Sequence, residues 1–142
     1  MSWTALEAVV RMAKIQAQAA AATGTMSDNE VLAVSALYPE WAPGDYGVGD
    51  VCNHDGQTWQ CVQAHDSTAT PDWSPGAVAA LWAPYHAADP RYARPWIQPT
   101  GAHDAYQTGE CMVWTDGQTY RCLRDATVHS PAELPEAWEV VA

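Results

Sequence analysis

The sequence of 142 residues contains no phenylalanine and little positive charge. Lysine and arginine number 6 against 17 aspartate and glutamate residues, so the formal net charge is −11. Residues 1–24 carry a net charge of +1, which leaves −12 on residues 25–142. A surface of that sign repels phosphate groups, which argues against nucleic acid and anionic membranes as partners and leaves neutral glycans compatible.

Long apolar runs are also missing. No run reaches the ~20 residues that a membrane-spanning helix needs. The N-terminus has no basic region followed by an apolar core, as a secretory signal would have. We therefore expect neither membrane insertion nor signal-directed secretion.

Motifs that carry chemistry are absent as well. The sequence has no C-x-x-C pair, no phosphate-binding loop, no dinucleotide-binding fingerprint and no nucleophile elbow. Its five histidines have no partner at metal-ligand spacing, and the order Cys52, His54, Cys61 matches no zinc pattern. We expect no catalytic residue, no metal and no cofactor, and we predict that the protein is not an enzyme.

The N-terminal part, residues 1–40, is predicted to be helical. Over residues 3–22, apolar side chains recur at alternating spacings of three and four, a heptad seam that starts bulky and ends in alanine. Because an isolated helix of this length is marginal in water, the seam should be covered. It would pack either on the protein's own β-structure or in a parallel bundle, a trimer or a dimer. The seam consists of Trp3, Leu6, Val10, Ala13, Ala17 and Ala20.

A second, short helix is predicted after Ser27. Ser27 and Glu30 form a capping box, with serine at the N-cap and glutamate at N3. The helix should include Val31–Val34 and end near Pro39, because the residue before a proline is biased away from helix.

Beyond residue 40 the sequence repeats itself, and this repeat is its most informative feature. Asp55–Cys61 matches Asp116–Cys122 at five of seven positions. Matching residues are offset by 60 before this segment, by 61 within it and by 56 after it, so one residue is gained before the second turn. The paired landmarks are Tyr46 and Tyr106, Gly49 and Gly109, Cys61 and Cys122, Trp73 and His129, and Trp82 and Trp138.

In the first unit, Asp55-Gly56 between alternating strands predicts a β-hairpin. A type I′ turn needs positive φ at both central residues, which Asp-Gly tolerates. With this pair central, Cys52 faces Trp59, and Cys61 lies diagonally on the same side, so the two cysteines are one disulfide candidate. The sequence leaves their redox state open, because assembly inside a cell favours thiols and exposure outside favours bridges.

In the second unit, the same reasoning with Asp116-Gly117 central places Cys111 directly opposite Cys122. This arrangement makes them the first disulfide candidate. Trp114 would then lie opposite Thr119, on the solvent side of the hairpin.

The predicted fold class is α+β: an N-terminal helix and a short second helix, followed by two small antiparallel β modules. The first module comprises residues 41–85 and the second residues 101–142. Residues 86–100 form a proline-rich linker, which we expect to be stiff and to fold its rings back on the modules.

The order of residues in each unit resembles the type-3 chitin-binding domain, also called carbohydrate-binding module families 5 and 12. The resemblance covers residues 41–82 and, in the second unit, residues 101–138. It implies small modules of a few antiparallel strands, many of which bind chitin or cellulose through exposed rings. It is carried by Tyr46, Gly49, Asp50, Gly56, Trp59, Cys61 and Trp82, and again by the sequence from Tyr106 to Trp138.

Segments around these landmarks are similar to small tail or fibre proteins of bacteriophages. These segments are residues 37–41, 63–65, 73–75 and 98–106. The similarity implies a virion structural protein, assembled in the host cytoplasm, whose partners are further copies of itself and other virion proteins. Its modules would attach to host-surface glycans by avidity. The alternative is an extracellular carbohydrate-binding module protein of a bacterial or enzyme system.

Ring-bearing side chains supply the candidate sugar or partner contacts. A loop tryptophan such as Trp73 either stacks on a sugar or covers a small core, and Trp41 should anchor the helical part on the first unit. Chitin-binding members often place two adjacent aromatic residues after the second hairpin strand, where this chain has residues 63–66 and 124–126 without tryptophan. The candidate contacts are Trp73, Trp114, Trp41, His65 and His129, and the expected core rings are Tyr46, Trp59, Trp82, Tyr106, Tyr120 and Trp138.

Overall fold

The structure, a computed structural model, describes residues 4–23, 26–101 and 103–141. The fold is α+β, as predicted, with two helices and nine short strands in the described residues. The helices are α1 (Ala5–Thr23) and α2 (Asp28–Ala33). The strands are β1 (Asp45–Tyr46), β2 (Val51–His54), β3 (Gln57–Cys61), β4 (His65–Asp66), β5 (Trp82–Pro84), β6 (Arg94–Pro95), β7 (Cys111–Val113), β8 (Thr119–Cys122) and β9 (Trp138–Val140).

Helix α1 packs on the β-structure with its C-terminal half only. Ala17 and Ala21 are buried in a core cluster with Tyr38 and Val51. The Tyr38 hydroxyl donates to the Ala17 carbonyl oxygen at 3.2 Å. The Gln18 amide group both donates to the Val51 carbonyl at 2.7 Å and accepts from the Val51 N–H at 3.1 Å. Alanine allows this close approach because it has almost no side chain to hold the backbones apart.

The N-terminal half of α1 is exposed. Leu6 is 73% exposed and Val10 is 37% exposed, so the bulky part of the predicted seam remains accessible to solvent. Trp3, the first residue of that seam, lies outside the described residues. No described helix has the length and apolar character needed to cross a bilayer. The large exposed side chains of α1 are Leu6, Val9, Val10, Met12 and Ile15.

Helix α2 confirms the predicted capping box. The Glu30 N–H donates to the Ser27 hydroxyl at 3.3 Å, and the Ser27 N–H donates to the Glu30 carboxylate at 3.1 Å. The helix buries Val31 and Leu32 against α1. It ends at Ala33, earlier than the predicted end near Pro39, and a short 3-10 turn covers the interval.

The first unit is built on the β2–β3 hairpin. Asp55 and Gly56 have φ values of 54° and 76°, so they form the predicted turn with positive φ at both positions. Cys52 pairs with Trp59, as predicted. Strand β5 adds to β3 to complete a three-stranded antiparallel sheet, and β1 pairs separately with β4. Its core consists of Cys52, Trp59, Cys61, Leu81 and Trp82.

The second unit is a four-stranded sheet in the order β6-β7-β8-β9. Strand β6 comes from the inter-unit segment and runs parallel to β7, whereas the other pairs are antiparallel. Its core consists of Tyr106, Met112, Cys122, Ala137 and Trp138.

The predicted register of the second hairpin is wrong. Val113 pairs with Thr119, and the Gly117 N–H donates to the Trp114 carbonyl at 3.0 Å. The turn is thus one residue longer than in the first unit, and Gly117 alone takes a positive φ of 80°. A slip of one residue turns each side chain to the other face of the sheet. Trp114 therefore packs partly buried against the core instead of facing solvent.

The same shift separates Cys111 from Cys122, the first disulfide candidate. Cys111 pairs with Arg121, the neighbour of Cys122, so the two thiols lie on opposite faces of the sheet. Met112, instead of Cys111, faces the core beside Cys122. In the structure all four cysteines are free, so Cys52 and Cys61, the second candidate pair, are not bridged in it either.

Residues 86–100, predicted as a stiff linker, are packed into both units. The Cys111 N–H donates to the Ala87 carbonyl at 2.7 Å, and the Trp96 N–H donates to the Val113 carbonyl at 2.9 Å. On the other side, Ile97 packs against the core of the first unit. The segment therefore forms part of the structure of each unit.

Candidate functional site

The pairing of β1 with β4 places Tyr46, an expected core ring, next to His65, a candidate contact. Tyr46 pairs with His65, and their rings stack with centroids 5.7 Å apart. The Trp82 ring packs edge-on against both rings, with its centroid 4.9 Å from that of Tyr46 and 5.5 Å from that of His65. Because Trp82 is only 2% exposed, it serves as the floor, and Tyr46 and His65 form the outer layer.

His65 is held in one orientation. Its Nδ1 lies 2.8 Å from the Gln63 carbonyl oxygen, which can only accept, so Nδ1 carries the hydrogen of the neutral ring. The other nitrogen, Nε2, is buried and has no hydrogen-bond partner among the described residues. The Cys61 thiol lies 3.7 Å from Nδ1.

Trp73 lies beside these rings on a loop built from consecutive tight turns. The Thr70 N–H donates to the Ser67 carbonyl at 2.9 Å, and the Trp73 N–H donates to the Thr70 carbonyl at 3.0 Å. The Trp73 ring is 6.5 Å from that of His65 and tilted by 60°. The Trp73 residue is 37% exposed, so part of it contacts solvent. We call the group formed by Tyr46, His65 and Trp73 the Trp73 surface.

The loop that carries Trp73 is fixed to the start of the unit. The Ser67 N–H donates to the Gly44 carbonyl at 2.7 Å, and the Ser67 hydroxyl exchanges hydrogen bonds of 3.0 Å with the same residue. Next to it, Asp66 accepts from the Thr68 hydroxyl at 2.6 Å, and this bond keeps the pKa of the Asp66 carboxyl below its usual range. These bonds hold the Trp73 surface in place before any ligand arrives.

Trp41 does not belong to the Trp73 surface. It packs against the core of the first unit, edge-on to His54 at 5.6 Å. Its backbone N–H donates to the Asn53 carbonyl at 2.7 Å, which joins the end of the helical part to β2. The buried Trp41 Nε1 has no partner among the described residues.

The second unit covers the surface that corresponds to the Trp73 surface. Tyr106, the repeat partner of Tyr46, is only 2% exposed. His86 stacks on one face of its ring at 3.9 Å and 6°, and Trp96 stacks at 5.3 Å and 10°. Both covering rings come from the inter-unit segment. The sequence predicted that rings of this segment fold back, but it did not identify His86 or Trp96 as the rings over Tyr106.

The other candidates of the second unit lie apart. His129, the repeat partner of Trp73, is exposed, with its Nδ1 3.8 Å from the Glu133 carboxylate. Its carbonyl oxygen accepts from the Trp138 Nε1–H at 2.9 Å. Trp114 packs edge-on against Trp96 at 5.6 Å. The second unit therefore has no described cluster of exposed rings like that of the first.

The expected core rings occupy different depths. Trp59 and Trp138 are each 5% exposed, and Trp82 and Tyr106 are buried further. Tyr46 and Tyr120 are half-buried at the edge of their cores. The Tyr120 hydroxyl donates to the Asp116 carboxylate at 2.7 Å.

Residues that could hold a metal do not assemble in the part of the chain that the structure describes. In it, no group of three or more histidine, cysteine, aspartate or glutamate side chains is placed to ligate an ion. The thiols are protected as well, since burial raises the pKa of Cys52, Cys61 and Cys111. The arrangement at the Trp73 surface offers ring faces for contact and no activated nucleophile.

Comparison with known proteins shows what the first unit is similar to. The model of carbohydrate-binding module family 5/12 matches residues 40–83. Streptogrisin-C of Streptomyces griseus is 46% identical over 43 residues, which are 30% of this chain and 9% of that protein. The chain thus spans less than a tenth of the length of that relative. Over residues 40–83 the chain therefore carries a unit similar to the carbohydrate-binding modules of family 5/12.

Proposed function

We propose that this protein is a non-enzymatic binding protein whose first unit attaches to a neutral glycan at the Trp73 surface. The observation that carries the proposal is the match of residues 40–83 to carbohydrate-binding module family 5/12. The unit that matches carries the partly exposed ring of Trp73, whereas the corresponding tyrosine of the second unit is 2% exposed and stacks with the rings of His86 and Trp96.

The physical properties of the Trp73 surface suit a sugar. Trp73 is 37% exposed, and the apolar face of a tryptophan ring can pack against the C–H face of a sugar ring. The loop is held by backbone hydrogen bonds, so little conformational entropy is lost on binding. The net charge of −12 on residues 25–142 opposes anionic polymers and leaves neutral ones.

Binding to insoluble chitin, cellulose and peptidoglycan tests the proposal. Trp73→Ala should weaken binding to the polymer that is recognised by roughly tenfold, which corresponds to about 1.4 kcal/mol of lost apolar contact. Leu123→Ala is the matched control, because Leu123 is 42% exposed and lies in the second unit. Equal binding of both variants and the unchanged protein, or no binding to any of the three polymers, would overturn the proposal.

We further propose that the protein assembles through α1 and displays its units from a virion, with the second unit a divergent copy of the first. The exposed apolar side chains of α1 support this role, since the first unit leaves them uncovered. A second copy of this chain is the partner for the exposed face of α1 that the charge favours. Residues 1–24 carry +1, so helices approach without the repulsion that two acidic bodies would experience. Apolar spacing of three and four matches a helical bundle.

Light scattering of the full chain tests this assembly. We expect a dimer or trimer that becomes a monomer when Leu6→Glu and Val10→Glu are combined. Val48→Glu is the control, because Val48 is 66% exposed on the first unit and outside α1. A monomer at high concentration of the unchanged protein would contradict assembly through α1. Glycan binding without assembly would favour the alternative, a carbohydrate-binding module protein of a bacterial or enzyme system.

A further inference from the structure

A groove of about 460 Å³ lies between the first unit and the inter-unit segment. One wall consists of the β2–β3 turn and the loop of residues 74–77, and the other of residues 95–97. Its volume falls within the range of about 300–1,000 Å³ typical of small-molecule sites. It is separate from the Trp73 surface, since none of Tyr46, His65 and Trp73 lines it.

The walls of this inter-unit groove are fixed to each other. The Gln57 Nε2–H donates to the Pro95 carbonyl at 2.6 Å, and Arg94 Nη1 donates to the Gly56 carbonyl at 3.0 Å. Ile97 packs against the core of the first unit, while Trp96 stacks on Tyr106. The groove is thus formed without a ligand, and it exists only where the first unit and the inter-unit segment are both present.

Several polar side-chain groups along the groove make no hydrogen bond to the described residues of the protein. The side chains of His54, Asp55 and Ser74 make no hydrogen bond within the described residues, and neither does the Gln57 Oε1 atom. Between them lie apolar surfaces of Pro75 and Ile97 and the edge of Trp59. The groove therefore combines unused donors and acceptors with apolar contact surface.

We propose that the inter-unit groove is a second binding site, for a segment of a neutral oligosaccharide. Sugars present hydroxyl groups that both donate and accept, and C–H faces that pack on apolar surface, which is the combination that lines the groove. The exposed carboxylate of Asp55, which lines the groove, disfavours anionic ligands. The site adds to the proposed glycan function and rests on it, because it extends the same ligand class to a second surface.

NMR titration of the full chain with chitotetraose and with cellotetraose tests the proposal. We expect one of the two to shift the backbone signals of residues 74–77 and 95–97 and the indole signal of Trp96. Ala77→Trp fills the groove from an exposed position and should weaken binding there roughly tenfold. Ser74→Ala and His54→Ala remove polar contacts without filling it, and should weaken binding there by a smaller factor.

The pattern of shifts separates this proposal from the one for the Trp73 surface. Shifts at residues 74–77 and 95–97 that Ala77→Trp removes and Trp73→Ala leaves in place support the groove. Shifts confined to the Trp73 surface overturn the groove and leave the proposed function intact. The absence of shifts with either probe overturns the groove as well, and polymer binding then decides the proposed function separately.

Discussion

The Cys52 thiol is buried against the rings of the first unit, and its chemistry follows from that burial. Desolvation raises its pKa to about 12, with smaller contributions from the nearby Cys61, Glu40 and Asp50. A thiol must lose its proton to react, so a raised pKa protects it from alkylation and from oxidation.

Alkylation should therefore distinguish folded from unfolded protein. At about pH 8, iodoacetamide should modify Cys52 at least roughly a hundredfold more slowly in the folded protein than in denaturant, where the thiol pKa returns to about 8.5. Mass spectrometry of peptides measures both rates. The raised pKa also makes the free energy of unfolding depend on pH. The contribution of the protonated Cys52 thiol to that free energy is full below about pH 8.5 and is lost as the pH rises above it. Fast modification of Cys52 in the folded protein would contradict the prediction.

At the scale of elements, the two hairpins show how one residue changes a sheet. Asp55-Gly56 closes a two-residue turn, whereas Gly117 ends a longer turn in which it alone has positive φ. The extra residue frees Asp116 to accept from the Tyr120 hydroxyl at 2.7 Å and from the Gln118 N–H at 2.9 Å. These hydrogen bonds, that of Tyr120 foremost, lower the pKa of the Asp116 carboxyl.

The stability supplied by Asp116 should depend on pH. A carboxyl with a lowered pKa in the folded state contributes above its unfolded pKa of about 3.9, and the contribution is lost as the pH falls through the folded value. Asp116→Asn should therefore lower the midpoint of thermal unfolding near neutral pH and have a smaller effect in acid.

The Tyr120→Phe variant provides the control for this effect. Without the hydroxyl donor, the difference between aspartate and asparagine at position 116 should depend less on pH, which a double-mutant cycle measures. The same loss of stability for Asp116→Asn in acid and at neutral pH would contradict the role of the charge.

The elements that the sequence predicted well are those specified by short-range patterns. The capping box of Ser27 and Glu30 locates the start of α2, because both hydrogen bonds join residues three positions apart. The Asp55-Gly56 turn sets the register of β2 and β3. The predicted register of the second hairpin was wrong for an identifiable reason. Asp116-Gly117 has the same local sequence as Asp55-Gly56, but its turn is one residue longer.

At the scale of the whole molecule, the segment between the units determines what each unit can do. Its rings His86 and Trp96 both stack with Tyr106, which is 2% exposed, so among the described residues the second unit has no open counterpart of the Trp73 surface. The guanidinium group of Arg94, in the same segment, donates to the Gly56 carbonyl and to the Ser35 and Thr58 hydroxyls, and these hydrogen bonds join the helical part and the first unit to β6. The two units therefore differ in the side chains that they expose.

Trp73 was predictable as a candidate contact because its loop position before Ser-Pro is visible in the sequence. The inter-unit groove was not predictable, since its walls are separated by about 20 to 40 positions along the chain and meet only after folding. The orphaned Nε2 of His65 likewise depends on the neighbouring rings, which no spacing rule supplies.

By itself, the sequence determined the α+β class, the capped second helix and the first hairpin, because each depends on residues close together in the chain. The tertiary structure alone decided which side chains face a core, which thiols are neighbours and which rings remain open. A single added residue turned Cys111 away from Cys122, and a distant segment closed over Tyr106. Faces of a sheet and contacts between segments depend on register and packing, which long-range geometry sets.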